Sequence, residues 1–206
     1  MAKENPPKIF RDPVHSFIQV DRNTLLKIID TREFQRLRRI RQLGFTPFTY
    51  HGGEHTRFAH SLGVFHLFTK VTERLEQLGE PLDGNAIMVG SLAALLHDVG
   101  HGPFSHALET IITPREHTDW TVDAIISEES SINKVLREMD QNLPTEVASV
   151  IQGSFENATV VHAISSQFDV DRMDYLLRDS LATGTSYGNF DLDRVLIALQ
   201  THGNFC

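Results

Sequence analysis

The sequence predicts an all-helical bundle preceded by a short extended or hairpin segment. Three observations predict it. Val64, Leu67, Phe68, Val71, Leu75 and Leu78 recur at the spacing of one helix face. The apolar run from Met88 to Leu96 is long enough for a buried helix and stops at Gly100 and Pro103. Before residue 21, by contrast, Pro7, Pro13 and the alternation Phe17, Ile18, Val20 suit a short strand or hairpin.

From Asp21 onward the pattern stays helical. Leu25, Ile28 and Ile29 mark a first short helix. Thr31 reads as the N-cap of a second, with Phe34, Leu37 and Ile40 on one face up to Gly44. Thr46 to Gly53 reads as a loop. A helix is expected over residues 56–78, closed by Gly79, Pro81 and Gly84, and Asp83 or Asn85 starts the next. Pro103 opens a helix through about Ile111. Trp120 with Ile125 and Ile126, Val135 with Leu136, and Val147 to Ile151 belong to three more. Phe168 to Ala182 and Leu192 to Leu199 complete the series. No repeat, low-complexity tract or linker interrupts the chain, so residues 1–206 read as one domain, with 1–22 as its extended N-terminal segment.

Composition is that of a soluble globular protein, 40% hydrophobic and 22% charged. No apolar run reaches the roughly 20 residues of a membrane span, and residues 1–7 lack a signal core. The lone cysteine, Cys206, excludes an internal disulfide and a cysteine metal cage, and points to a reducing, cytoplasmic setting. A net charge of -8 argues against a broad nucleic-acid surface. Arg32, Arg36, Arg38, Arg39 and Arg41 nevertheless crowd one stretch opposed only by Glu33, a density that could serve phosphates.

The most informative segment is His97-Asp98-Val99-Gly100-His101-Gly102-Pro103-Phe104-Ser105-His106. Imidazole and carboxylate are ligand types that divalent metals accept. A buried helix delivering His97-Asp98 at its end reads as part of a metal site. His60, on the apolar face of its helix, is a further candidate, because a buried imidazole needs a partner. Asp171 and Asp174 share a helix face at i, i+3 and would repel if buried together without a cation or a proton. Each residue alone also has an ordinary reading: His60 as a core histidine, Asp169 or Asp171 as an N-cap.

The order His60, His97-Asp98, Asp171 resembles the HD superfamily of metal phosphohydrolases. Four longer words are similar to the deoxynucleoside triphosphate triphosphohydrolases within it, among them bacterial members close to the human sterile-alpha-motif and HD-domain enzyme. They are Phe34 to Gly44 (FQRLRRIRQLG), Glu54 to Val64 (EHTRFAHSLGV), His97 to His106 (HDVGHGPFSH) and Asp169 to Asp179 (DVDRMDYLLRD). The similarity runs from about Lys8 to Leu199. Family members are about twice this length, so the chain resembles their catalytic N-terminal half, without the C-terminal half that closes over the nucleotide and builds the oligomer.

The resemblance implies an HD-domain helical bundle and a reaction. Water attacks the α-phosphorus of a deoxynucleoside triphosphate and releases deoxynucleoside and inorganic triphosphate. His60, His97, Asp98 and Asp171 are the implied metal ligands, a set that suits Mn, Fe, Ni, Co or Zn, with Mg accompanying the nucleotide. Arg57, Gln42, Leu43, Arg172 and Tyr175 are the implied substrate-binding residues: Arg57 for phosphate, Gln42 and Leu43 for the sugar 3′-OH and 2′ position. His101, His106 and His117 match the family's second histidine set. His117 is the expected general acid, Glu109 its orienting carboxylate (an aspartate in relatives), and His101 an α-phosphate contact. Lys8, Asp30, Arg36 and Arg38 resemble an allosteric nucleotide site for GTP or dGTP between subunits of a homo-oligomer, although a solvated basic helix face accounts for them equally. A phosphodiesterase, a nucleoside monophosphatase and a non-catalytic nucleotide-binding module remain alternatives.

Overall fold

The structure is a computed structural model, and it describes residues 6–21, 23–104, 106–112 and 115–200, without the side chains of His106, Thr110 and Ile112. Two strands, β1 (Lys8–Asp12) and β2 (Ser16–Val20), form an antiparallel hairpin in the register Lys8↔Val20 to Asp12↔Ser16. Ile18 and Val20 point into the core while Phe17 faces solvent, which is the period-2 pattern the sequence carries.

Eleven helices follow among the described residues: α1 (Leu25–Ile29), α2 (Arg32–Arg36), α3 (Arg57–Gln77), α4 (Gly84–Leu96), α5 (His106–Ile112), α6 (His117–Ile126), α7 (Ser131–Met139), α8 (Leu143–Ile151), α9 (Ala158–Ile164), α10 (Val170–Thr183) and α11 (Leu192–Ala198). The expected all-helical bundle with an N-terminal hairpin is what forms. Among the described residues, no helix is long and apolar enough to cross a membrane.

The long α3 is the axis. It packs against α4, α9, α10, α11 and β2. Helix α4 is apolar on every side, and Val89, Gly90, Leu92, Ala93, Ala94, Leu95 and Leu96 are all buried between α3, α8 and α9. Asp83 caps its start by accepting from Ala86 N at 2.8 Å. Gly90 lets α3 approach, since a Cβ there would overlap the fully buried Phe68 ring.

Five local expectations need correction. The helix capped by Thr31 does not run to Gly44. It ends at Arg36, tightens into a 3-10 turn over Leu37–Arg39, and Ile40 becomes extended. Arg41 then bridges to Thr56, which holds the chain ahead of α3. Thr46–Phe48 is itself a 3-10 turn within the expected loop. Helix α5 begins at His106 rather than at Pro103. Helix α9 was not expected, and α10 starts at Val170 because Asp169 caps it, accepting from Arg172 N at 2.8 Å.

Gly90→Ala should lower stability by about 1–3 kcal/mol, the usual range for overpacking a tight interior, as measured by denaturant unfolding. An unchanged midpoint would mean that α3 and α4 are not in the close contact described.

Candidate metal centre and active-site cleft

Three elements converge on one point. Helix α3 supplies His60, the end of α4 supplies His97, and the first turn of α10 supplies Asp171. One ligand-type atom from each lies within 4.8 Å of the others. His60 Nε2 is 3.0 Å from Asp171 Oδ1 and 3.3 Å from His97 Nε2. Asp98 closes the group, with Oδ1 3.4 Å from His97 Nε2 and Oδ2 3.7 Å from His60 Nε2.

The protons on these rings follow from their partners. His60 Nδ1 lies 2.7 Å from the carboxylate of Asp174, and His97 Nδ1 lies 2.9 Å from the carbonyl of Ala94. Both partners only accept, so both Nδ1 atoms donate. In neutral rings the two Nε2 lone pairs then face each other and two carboxylates. Such a convergence is repulsive unless a cation or a proton enters it. The donor set therefore fits a divalent metal: two imidazole nitrogens and two carboxylates, with outer partners that fix each ring.

A proton on His60 can fill the same role. Burial of His60 opposes its charge, but hydrogen bonds to Asp171 and Asp174 outweigh it and raise its pKa to about 10. Burial likewise opposes the charge on Asp98, and His97, Arg57 and His101 still hold it well below the usual carboxylate range. Asp171 is also lowered: burial opposes it, and His60 prevails.

The expected repulsion between Asp171 and Asp174 does not arise, because His60 stands between them. Its Nε2 meets Asp171 and its Nδ1 meets Asp174. Asp174 is fully buried and takes a bidentate pair from Arg178, at 2.8 Å to each oxygen. A side chain at Gly63 would overlap Asp174, so glycine is required there.

The metal group opens into a cleft of about 460 Å³, which Gln42, Leu43, Arg57, His101, His117 and Tyr175 also line. Arg57 is no surface arginine. It is 3% exposed and ion-paired with Asp98. Gln42 Oε1 is buried without a hydrogen-bond partner among the described residues. The rings of His101 and His117 stack at 3.9 Å. Glu109 serves both, with Oε1 3.3 Å from His101 Nδ1 and Oε2 3.3 Å from His117 Nδ1. These three also bring ligand-type atoms within 4.8 Å. The His106 side chain, the remaining member of the expected histidine set, lies outside the described residues.

Two expected site residues sit elsewhere. Arg172 is exposed beside Asp169, 4.0 Å away, and does not line the cleft. Arg36 is exposed, but its Nη2 donates to the carbonyls of Val99 (2.7 Å) and His101 (2.8 Å). Its guanidinium thus braces the loop after α4. Lys8, Asp30 and Arg38 are exposed; Arg38 lies over the Phe58 ring at 3.5 Å. Sequence reasoning missed His55, whose Nε2 binds Asp179 of the cleft wall at 2.7 Å, and His15, 2.7 Å from Asp174. Both partners are more than 120 residues distant, beyond any local periodicity.

With this geometry in view, residues 57–179 match the HD domain family, and the chain belongs to it. It is 46% identical over 199 residues to the uncharacterized protein YwfO of Bacillus subtilis, covering 97% of this chain and 46% of that one. It is 31% identical over 222 residues to the deoxynucleoside triphosphate triphosphohydrolase SAMHD1 of Gallus gallus, covering 92% of this chain and 36% of that one. The crystal structure of a phosphohydrolase from Bacteroides thetaiotaomicron superposes with a TM-score of 0.85 at 33% identity, over 95% of this chain and 48% of that one. The chain thus spans about half the length of these relatives or less. The family is one of metal-dependent hydrolases, and the His/Asp groups here could hold a metal.

The raised His60 pKa stabilises the metal-free fold fully below the unfolded value of about 6.5, and the contribution is lost as pH rises through about 10. A metal must displace that proton. Calorimetric titration with Mn(II) at pH 7.5, in two buffers of different ionisation enthalpy, should show about one proton released per ion, with affinity rising as pH rises. Binding without proton release would contradict this account of His60.

Proposed function

We propose that the chain is the catalytic half of a phosphohydrolase that splits deoxynucleoside triphosphates into deoxynucleoside and inorganic triphosphate. The observation that carries this reading is one cleft, open to the metal-type group, that combines it with a stacked histidine pair and a buried amide oxygen without a partner among the described residues. The similarity to the chicken triphosphohydrolase supports the same choice of substrate.

His60, His97, Asp98 and Asp171 are the proposed ligands of a divalent metal (Mn, Fe, Ni, Co or Zn), with Mg accompanying the nucleotide. When bound, the metal would polarise an α-phosphate oxygen and acidify water. The remaining roles belong to the chain's own groups. Arg57, with its guanidinium beside Asp98, binds phosphate oxygens at the metal's edge. Gln42 Oε1 accepts from the sugar 3′-OH, and Leu43 closes the wall against a 2′ substituent. Tyr175 contributes to the same wall, whereas the exposed Arg172 has no part in it.

A water oxygen bonds to the α-phosphorus and sheds a proton as the bond from phosphorus to the sugar O5′ breaks. The leaving O5′ needs that proton count restored, and the stacked pair holds the donor. Burial lowers the His101 pKa to about 4 despite its contact with Asp98, so His101 is neutral at pH 7 and suits an α-phosphate contact. Two imidazolium rings 3.9 Å apart would repel, which leaves His117 as the acid. Glu109 Oε2, 3.3 Å from its Nδ1, orients the ring. Lys8, Asp30 and Arg38 remain as candidates for an activating GTP or dGTP site in a longer homo-oligomeric protein located in the cytoplasm.

Product analysis by anion exchange tests the reading. This chain should release deoxynucleoside and intact triphosphate from a deoxynucleoside triphosphate with Mn(II), and Asp98→Ala should not. Orthophosphate release would favour a monophosphatase, and nucleotide binding without product a sensing module. His117→Ala should keep metal and nucleotide binding while turnover falls about 10²–10⁴-fold, the usual worth of a general acid. Undiminished turnover in that variant would remove His117 from the role.

A further inference from the structure

The N-terminal hairpin lies outside the cleft, yet its turn reaches the back of the metal centre. Asp12 Oδ1 accepts from the backbone N–H groups of Val14 and His15, each at 2.9 Å, and this fixes the turn. Ser16 completes it at φ +63. The turn then makes two hydrogen-bonded contacts with α10. Arg178 Nη1 donates to Asp12 Oδ2 at 2.9 Å, and His15 Nε2 donates to Asp174 Oδ1 at 2.7 Å. All four side chains are within 6% of full burial. The His15 ring is packed in addition against His66 of α3, with centroids 5.1 Å apart.

Asp174 is the hub. One oxygen takes His15 and Arg178 Nη2; the other takes Arg178 Nε and His60 Nδ1. Its carboxylate plane is thereby set from the hairpin side, and that plane sets the His60 ring. Outer partners of this kind orient a metal-binding imidazole and keep its lone pair on the ligand side.

We propose that His15 is a positioning residue for the metal centre: through Asp174 it fixes the orientation of His60 Nε2 and so sets metal affinity from the hairpin. This rests on the metal reading given above. The turn is a buttress of the site, and His15 acts on the metal without touching it. Arg178 neutralises Asp174 from the same helix and is itself tied to Asp12 of the hairpin. His15 is the side chain that reaches Asp174 directly from the hairpin.

The test compares dissociation constants for Mn(II) and Zn(II), measured by calorimetry and referred to the folded fraction seen by circular dichroism. His15→Ala should weaken binding about 10–100-fold, the usual loss when an outer partner is removed. His15→Gln, which keeps an N–H donor at a similar reach, should recover most of it. Val20→Ala, which loosens the buried end of the hairpin away from Asp174, should lose stability but retain affinity. Wild-type affinity in His15→Ala, no recovery in His15→Gln, or equal weakening in Val20→Ala would each overturn the proposal while leaving the metal site standing. A wild-type chain that binds neither ion would overturn both.

Discussion

A carboxylate with no access to water has to be answered by the residues around it, and Asp174 is such a group. Its two oxygens receive Arg178, His15 and His60, drawn from α10, the hairpin and α3. Burial opposes its charge, and these partners still hold it well below the usual carboxylate range. Much of the surrounding sequence reads as a consequence. Gly63 leaves it room, Asp12 accepts from the Nη1 side of the Arg178 guanidinium, and the tight hairpin turn delivers His15.

The same constraint propagates to the candidate metal centre. Because Asp174 claims His60 Nδ1, Nε2 must point toward His97 and Asp171. Because the Ala94 carbonyl claims His97 Nδ1, its Nε2 points back. Two helices therefore turn ring nitrogens to one point, and the apolar packing of α3 on α4 holds them there. Arg36 braces the chain immediately downstream, so that His101 meets Asp98 on one side and Glu109 on the other. The fold thus joins the His60–His97–Asp98–Asp171 group to the His101–Glu109–His117 group along one cleft.

Elements with a long, unbroken period were legible in the sequence. Helix α3 was expected over 56–78 and spans Arg57–Gln77, and α4 ends where His97-Asp98 stands. Thr31 and Asp83 cap helices as their side chains suggest. Short elements were less legible: α2 gives way to a 3-10 turn after five residues, and α9 has only seven. Of the site, His60, His97, Asp98 and Asp171 could be read from spacing and resemblance, and they do converge. The roles of His15, His55 and Arg36 could not. Their contacts span 63 to 159 residues of sequence and follow only from how the hairpin and loops dock on the bundle.

On the reading proposed above, His60 Nε2, His97 Nε2, Asp98 and Asp171 converge because one divalent cation belongs between them. Anomalous diffraction at the Mn absorption edge, from crystals of this chain grown with Mn(II), tests it directly. A single peak is predicted within coordination distance of both imidazole nitrogens and of the Asp98 and Asp171 oxygens. A fully occupied peak elsewhere, with His60 still bonded to Asp171 and no ion between them, would contradict it.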